Sequence, residues 1–411
     1  MKPLRILFIS PYVPSLIRVR PYNLIRALAL RGNQITLLAL EPPGEDTSSL
    51  DTLRTWCQHV QTVPLPRWRT LLNGLQALPS QTPFQAAYSR SPEMSTLVQR
   101  MQTGGNYDVM HVEHLRGAEL SRSSVNGQCA NGTPTVFDSV DSISLLFERV
   151  CSSGPTWRSR LLANLDLGRT RRYEGHLLDR FPRVLVTSPK DKEALLRLSN
   201  ARAADDRLVV LPNGVDLNYF SPLGLPRKPE TIIFTGKMSY HANVAAALDL
   251  ATQIMPYVWA QRSDARLVIT GKDPTPELLA LTADPRITVT GTVPDLRPHL
   301  AQATVSVSPM RYGVGIQNKL LEAMAMATPV VSTPQAITAL QVKPGQDLLV
   351  ADTPRGIAET VIALLGNETL RHRISQAGRE YVETHHDWDK AAEKLEGVYR
   401  EVIAEINFSA K

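Results

Sequence analysis

Apolar residues gather along this chain in short unbroken runs instead of alternating with polar ones, the pattern of parallel strands covered on both faces. In the first half the runs are Arg5–Ser10, Gln34–Leu40, Gln58–Val63, Asp108–Val112, Thr135–Asp138 and Arg183–Thr187. Stretches of helical period lie between them, Tyr22–Arg31 ending at Gly32 and Pro92–Gln102 ending at Gly104-Gly105. The charged segment Thr156–Arg180 also reads as helix. Strand–helix alternation of this kind predicts a doubly wound α/β domain.

The alternation then breaks. The apolar run Leu208–Leu211 is followed by the turn-rich Pro212-Asn213-Gly214-Val215-Asp216 and by a proline-rich stretch to Pro229. It restarts with strands Thr231–Thr235, Arg266–Thr270, Ile287–Thr290, Thr304–Ser308 and Pro329–Ser332, separated by helices Asn243–Gln253, Pro276–Thr282, Leu296–Ala301 and Asn318–Ala327. Three helices close the chain: Arg355–Leu365, Glu368–Thr384 and Trp388–Ile406. The expected organisation is two Rossmann-like domains, 1–207 and 208–384. Two such sheets leave a cleft between their carboxyl ends, suited to joining two substrates, one per domain.

A length of 411 residues exceeds the usual single-core limit of roughly 250–300 residues, which also favours two domains. Hydrophobic residues make up 43% and charged residues 20%, which excludes a disordered or fibrous chain. No segment reads as a signal peptide or membrane span; the longest uncharged stretch, Ala323–Val342, carries two prolines. Cys57, Cys129 and Cys151 have no metal-like or redox spacing, and an odd count fits reduced thiols in the cytoplasm. The net charge of +6 sits wholly on residues 1–180, with 20 Lys+Arg against 14 Asp+Glu; the remainder balances at 25 against 25. No nucleic-acid motif accompanies it, so an anionic acceptor, the inner face of a membrane or a solvated surface are the alternatives. The basic, aromatic stretch Pro66–Leu72 with Leu75 and Leu78 suits either a membrane surface or a helix packed on the domain.

Candidate chemistry concentrates in the second half. Tyr312-Gly313-Val314-Gly315-Ile316-Gln317-Asn318-Lys319 leads from a strand into a helix. Its glycines let backbone approach a ligand, and the helix start offers unpaired N–H groups to an anion. Lys319 falls in the first helical turn, where the helix dipole disfavours a cation unless an anion is near. Glu322 shares its face. Phe234-Thr235-Gly236-Lys237 is a second strand end, with Lys237 able to reach the same anion. Gly271 and Gly291, after two further strands, either frame a base or are plain turns. The first turn of the chain, Ser10–Pro14, has no glycine, which excludes a Gly-x-Gly-x-x-Gly dinucleotide site there. Asp387-Trp388-Asp389 with His385-His386 matches a metal-binding Asp-x-Asp pattern, but before a terminal helix it reads as a helix cap and a packed Trp.

The segments Asn213-Gly214-Val215-Asp216 with Phe220-Ser221-Pro222, Gly236-Lys237, Gly291-x-Val293 and Gly315 through Glu322-Ala323-Met324-Ala325 with Pro329-Val330-Val331 resemble the family 4 retaining glycosyltransferases. Within them the chain is most similar to bacterial sugar transferases of exopolysaccharide and PEP-CTERM/exosortase systems. The resemblance implies a GT-B fold, α/β with two Rossmann-like domains facing each other and the segment 385–411 returning to the first. It also implies a nucleotide-diphosphate-sugar donor on the C-terminal domain, no cofactor and no essential metal. Carried over, Glu322 binds the donor ribose, and Gly236, Lys237, Asn243, Gly315, Ile316, Gln317, Asn318 and Lys319 surround the diphosphate. The family's usual second glutamate is replaced by Val314 and its second basic residue by Asn243, so Lys319 is expected to take part of the phosphate load. In the first domain, His114, Arg116 and Asp138 are expected to face the acceptor or the reacting sugar, and His111 to be a strand residue. Glu113 stands where the family often has a histidine. The alternatives are a donor-binding protein with impaired catalysis and a sugar-nucleotide epimerase of the same fold.

Overall fold

The computed structural model describes residues 2–121, 133–153, 157–199, 204–311 and 315–409. The chain divides into two compact units, Met1–Pro212 with Trp388–Lys411, and Asn213–Asp387.

The N-terminal unit is built on a seven-stranded parallel sheet in the order β3-β2-β1-β4-β5-β6-β7. Its strands are β1 (Arg5–Ser10), β2 (Gln34–Glu41), β3 (His59–Pro64), β4 (Val109–Glu113), β5 (Thr135–Val140), β6 (Arg183–Val186) and β7 (Leu208–Val210). Ile6, Leu7, Phe8 and Ile9 are all fully buried, because helices cover both faces of the sheet. The strand order reverses between β1 and β4, so Ser10 ends beside Glu113 at a topological switch point.

The C-terminal unit repeats the plan with six parallel strands, β8 (Thr231–Thr235), β9 (Arg266–Thr270), β10 (Ile287–Gly291), β11 (Val305–Ser308), β12 (Val330–Ser332) and β13 (Leu349–Val350). Their order is β10-β9-β8-β11-β12-β13, and the switch point lies between β8 and β11. Both sheets have the doubly wound arrangement expected from the sequence.

Several boundaries differ from the sequence reading for identifiable reasons. The run at Leu208 closes the first domain instead of opening the second: Leu208 and Val209 pair with Val184 and Leu185, and Leu211 N donates to Val186 O at 2.8 Å. The boundary therefore lies after Pro212, not after 207. The return to the N-terminal unit begins at Trp388, not 385, because His386 belongs to the C-terminal unit. Its carbonyl accepts from Val215 N at 2.7 Å and its Nδ1 lies 2.6 Å from Asn213 O. Trp388 is buried in the N-terminal core and starts the helix Trp388–Ser409, which packs along the helix Val19–Leu30.

The first helix starts at Val19 because Pro21 sits in its opening turn, where no amide is needed. The expected Thr156–Arg180 helix is described as Trp157–Gly175 and Leu177–Arg180, parted at His176. The expected Asn243–Gln253 helix runs as His241–Asp249, a wide π turn Leu250–Ile254, then Met255–Trp259. Pro256 has no amide to give to Thr252, and its ring crowds that carbonyl, which accounts for the wider turn.

Burial pushes the Cys57 thiol up to about 12, as suits an inert core cysteine; Cys129 lies outside the described residues. No helix among the described residues is long and apolar enough to cross a membrane. The helix Arg67–Ala77 exposes Trp68, Leu71 and Leu75, with Leu78 following, while Arg169 from the helix Trp157–Gly175 holds the Leu78 carbonyl at 2.7 Å.

Candidate functional site

Beside the switch point of the C-terminal unit the ends of β8, β9 and β10 meet edge to edge. Gly236 N donates to Thr270 O and Gly271 N to Gly291 O, both at 3.1 Å. A Cβ on Gly271 would fall 1.7 Å from Gly236 O, so this crossing admits only glycine. Gly236, at φ +156°, faces the Asn243 amide, which a Cβ would meet at 2.7 Å. The variant Gly271→Ala is expected to destabilise the protein by about 2–4 kcal/mol through backbone displacement. Urea unfolding checks this, and an unchanged midpoint would contradict the close approach.

Asn243 connects the two motifs read from the sequence. Its Nδ2 donates to Lys237 O at 3.0 Å, and its Oδ1 accepts from Lys319 Nζ. Lys319 Nζ also lies 3.4 Å from Met310 Sδ and 5.1 Å from the centre of the Phe234 ring. The Lys237 side chain is exposed and forms no ion pair with a described residue.

Lys319 belongs to the helix Asn318–Ala325, whose first turn has no acidic residue and whose N-cap residue, Gln317, makes no side-chain cap. The positive end of the helix dipole therefore adds to the ammonium instead of opposing it. Gly315, at φ +72°, turns the chain into this helix, and Ile316 packs on the core beneath. Asn318 Oδ1 is buried without a hydrogen-bond partner. Glu322 follows one turn on, half-buried. Burial holds its carboxyl up at about 7, against the pull of Lys319 downward, and holds Lys319 down at about 8, against the upward pull of Glu322. Thus Gly236, Lys237, Asn243, Gly315, Ile316, Gln317, Asn318, Lys319 and Glu322 are assembled around the ends of β8 and β11. Tyr312, Gly313 and Val314 lie outside the described residues.

The N-terminal unit gathers a different set at the ends of β1 and β4. Glu113 is 1% exposed and accepts from Ser10 Oγ at 3.2 Å and Tyr12 OH at 3.0 Å. Burial, with Asp138 nearby, pushes its carboxyl up to about 8. His114 follows at φ +63°, and its Nδ1 accepts from Arg116 N at 3.2 Å, which places the proton on Nε2. Burial, then repulsion from Arg116 and Arg18, lowers His114 to about 3, so the ring is neutral. His114 and Arg116 thus lie together at the end of β4.

Asp138 does not join them. It is fully buried, its Oδ2 accepts from Arg20 Nε at 2.7 Å and its Oδ1 from Val140 N at 3.1 Å. Arg20 Nη1 in turn donates to Leu211 O at 2.9 Å. The expectation that Asp138 faces a substrate is corrected: its carboxylate balances a buried guanidinium and ties β5 to the end of the sheet. His111 is the strand residue expected, stacked on Phe8 at 4.3 Å with Tyr399 OH 2.8 Å from its Nδ1. Among the described residues no cluster of His, Cys, Asp or Glu is arranged to hold a metal ion, Asp387 and Asp389 included.

Sequence reasoning left Gly271 open between framing a base and a plain turn, because its role depends on a backbone crossing, and it missed Tyr12, Arg18 and Glu45, which meet only when the turns after β1 and β2 come together. It also missed the Phe234 ring and Met310 sulfur lining the Lys319 ammonium. The alignment of β8 with β11 could have signalled them, since both precede the two motifs.

Comparison with known proteins follows the same division. Residues 17–214 match the family model "Glycosyl transferase 4-like domain", and residues 229–367 match "Glycosyl transferases group 1". The chain is 24% identical over 417 residues to a phosphatidyl-myo-inositol mannosyltransferase of Mycobacterium leprae, spanning 97% of each. Among solved structures it resembles the sucrose-phosphate synthase of Thermosynechococcus elongatus, with a TM-score of 0.66 at 19% identity over 98% of this chain and 100% of that one. It is similar also to the Anabaena protein HepE solved with UDP and glucose, with a TM-score of 0.66 at 14% identity over 97% and 100%. These likenesses carry the fold. With one family model on each unit, the chain is a glycosyltransferase of the GT-B fold, a 4-like domain followed by a group 1 domain.

Proposed function

We propose that this glycosyltransferase moves a sugar from a nucleotide-diphosphate donor, with retention of anomeric configuration and without a metal, to a glycan, lipid-linked or small-molecule acceptor. The observation that carries the reading is Lys319, a half-buried ammonium in the first turn of an uncapped helix. In the reaction the bond from the anomeric carbon to the diphosphate oxygen breaks, and a bond to an acceptor oxygen forms on the same face. The electron pair of the broken bond stays with the diphosphate, and the acceptor's proton leaves toward that oxygen. Lys319, Lys237 and the N–H groups at 315–318 stabilise the growing negative charge. Glu322 accepts from the donor ribose hydroxyls, and His114 and Arg116 lie on the acceptor side. The mannosyltransferase relative, by its name, acts on an inositol lipid, and HepE was solved with UDP and glucose. These support donor transfer and leave the base and sugar to experiment. The place of action we assign is the cytoplasmic face of the cell membrane, in cell-surface polysaccharide synthesis of the exopolysaccharide and PEP-CTERM/exosortase kind, with peripheral contact through the Trp68–Leu78 face.

Thermal shift against UDP-, GDP-, ADP- and TDP-sugars tests the reading: one base should raise the melting temperature, as any ligand of the native state does. No shift with any of them would contradict it. A donor bound, yet neither transferred to extracted lipid-linked sugars nor epimerised, would instead point to an impaired transferase.

The titrations of Lys319 and Glu322 predict the pH dependence of donor binding. Below about 7 Glu322 is neutral and loses its power to accept from two hydroxyls. Above about 8 Lys319 loses its charge. Affinity for a nucleoside diphosphate should therefore peak between the two and fall on either side. Calorimetry on the wild type and Lys319→Gln checks this, since the variant should lose the alkaline limb. An affinity that keeps rising past the Lys319 titration would contradict the assignment.

A further inference from the structure

The N-terminal unit holds a second cationic cluster, and its charges do not balance. Tyr12 carries the Arg18 guanidinium over its ring face, 4.4 Å from the centre, and His114 at its edge, with ring centres 6.3 Å apart. Arg116, two residues beyond His114, lies over the Tyr88 ring at 5.4 Å. Glu45 is the carboxylate nearest to Arg18, with 3.9 Å between Oε1 and Nε. The other acid at the cluster, Glu113, has both oxygens engaged by Ser10 and Tyr12. It forms no ion pair with either guanidinium, and burial raises its carboxyl. Two guanidiniums are thus set against one carboxylate.

Arg116 bears the deficit. It forms no ion pair with any described residue, and its Nε is buried without a hydrogen-bond partner. Burial, and then Arg18, lowers its proton affinity, as expected of a cation lacking an anion. Stacking on Tyr88 uses the face of the guanidinium but leaves its in-plane donors unused. The helix Val19–Leu30 opens next to Arg18 with no side-chain cap and no acidic residue in its first turn, adding positive potential to the same cluster.

We propose that Arg116, Arg18 and the Nε2–H of His114 bind a phosphomonoester carried by the acceptor. The proposal rests on the reading that the N-terminal unit takes the acceptor, and it names that acceptor's class. Donors on three separate side chains suit a tetrahedral group with three free oxygens better than a planar carboxylate with two. A dianion would also supply the missing counter-charge. The phosphomonoester can sit on a soluble sugar or polyol or on a lipid.

The test uses the full chain. Glycerol phosphate is titrated by calorimetry at low salt, with glycerol as control, and flotation is measured with phosphatidylcholine vesicles with and without phosphatidic acid. Glycerol phosphate should bind and glycerol should not. Arg116→Gln and Arg18→Gln should each weaken binding by about ten-fold or more. Arg116→Lys, which keeps the charge but not the fork, should fall between. Arg18 is exposed, so its variant is safe from misfolding if Arg116→Gln is not. Arginine-dependent binding to phosphatidic acid vesicles alone would also support the proposal and identify a lipid as the source. Equal binding by wild type and both Gln variants, or no binding of either probe to the wild type, overturns it. UDP affinity measured on the same samples separates the two readings: UDP bound normally without a phosphomonoester sinks this inference alone. Arginine-dependent phosphomonoester binding without nucleotide binding sinks the donor assignment instead.

Discussion

Replacing Lys319 by alanine is expected to lower turnover by about 100- to 1,000-fold at saturating donor, the cost of losing one preorganised donor to a developing anion. The effect should fall on turnover because negative charge on the diphosphate grows as the bond to the sugar breaks. An ammonium that is half-buried, lined by the Phe234 ring and Met310 sulfur and held by Asn243, does not have to reorganise as that charge appears. Measuring donor-dependent transfer, or donor hydrolysis in the absence of acceptor, checks the prediction. Turnover within a few-fold of wild type would mean that Lys319 merely fills space beside Asn243. Asn243→Ala should produce a smaller loss in the same direction, since the ammonium then loses its holder but not its charge.

The second large effect concerns stability. Arg20→Met should destabilise the protein by about 3–5 kcal/mol, the usual consequence of leaving a buried carboxylate without its partner. Arg20 and Asp138 are 4% and 0% exposed and 2.7 Å apart, and the same guanidinium holds Leu211 O. Its loss therefore frees the chain just where it leaves the first unit. Urea denaturation followed by circular dichroism reads the change. A shift of less than about 1 kcal/mol would show that Asp138 is solvated after all, and would restore it as a candidate for contact with substrate.

What the sequence disclosed and what it hid follow from the range of the physics involved. Strands such as Arg5–Ser10 and Thr231–Thr235 were legible to the residue because a parallel strand covered on both faces leaves an unbroken apolar run. The Asn318 helix was legible because its glycines, its lysine and the following apolar face are all local. The π turn before Pro256 was hidden by a helical period that continues through it. β13 was hidden because two residues carry no period. Asp138 misled for a different reason: an aspartate at the end of a strand reads as a cleft residue, and its partner Arg20 lies far off in sequence on a helix whose inner face cannot be told from a short window. Leu208–Val210 was assigned to the wrong unit because an apolar run does not say which sheet it joins. Tyr12 with Arg18, Glu45 and Arg116 come from three separate segments, and their charge imbalance exists only once the fold brings them together.

The central claim is that the amino end of the helix opening at Asn318, with Lys319 and Lys237, receives the donor's diphosphate. Its most direct test is a crystal structure with the nucleoside diphosphate selected by the thermal-shift panel. The account predicts diphosphate oxygens against the N–H groups of residues 315–318 and the Lys319 ammonium, with the ribose hydroxyls on Glu322. Nucleotide density elsewhere on the protein, with this helix end left to solvent, would contradict it.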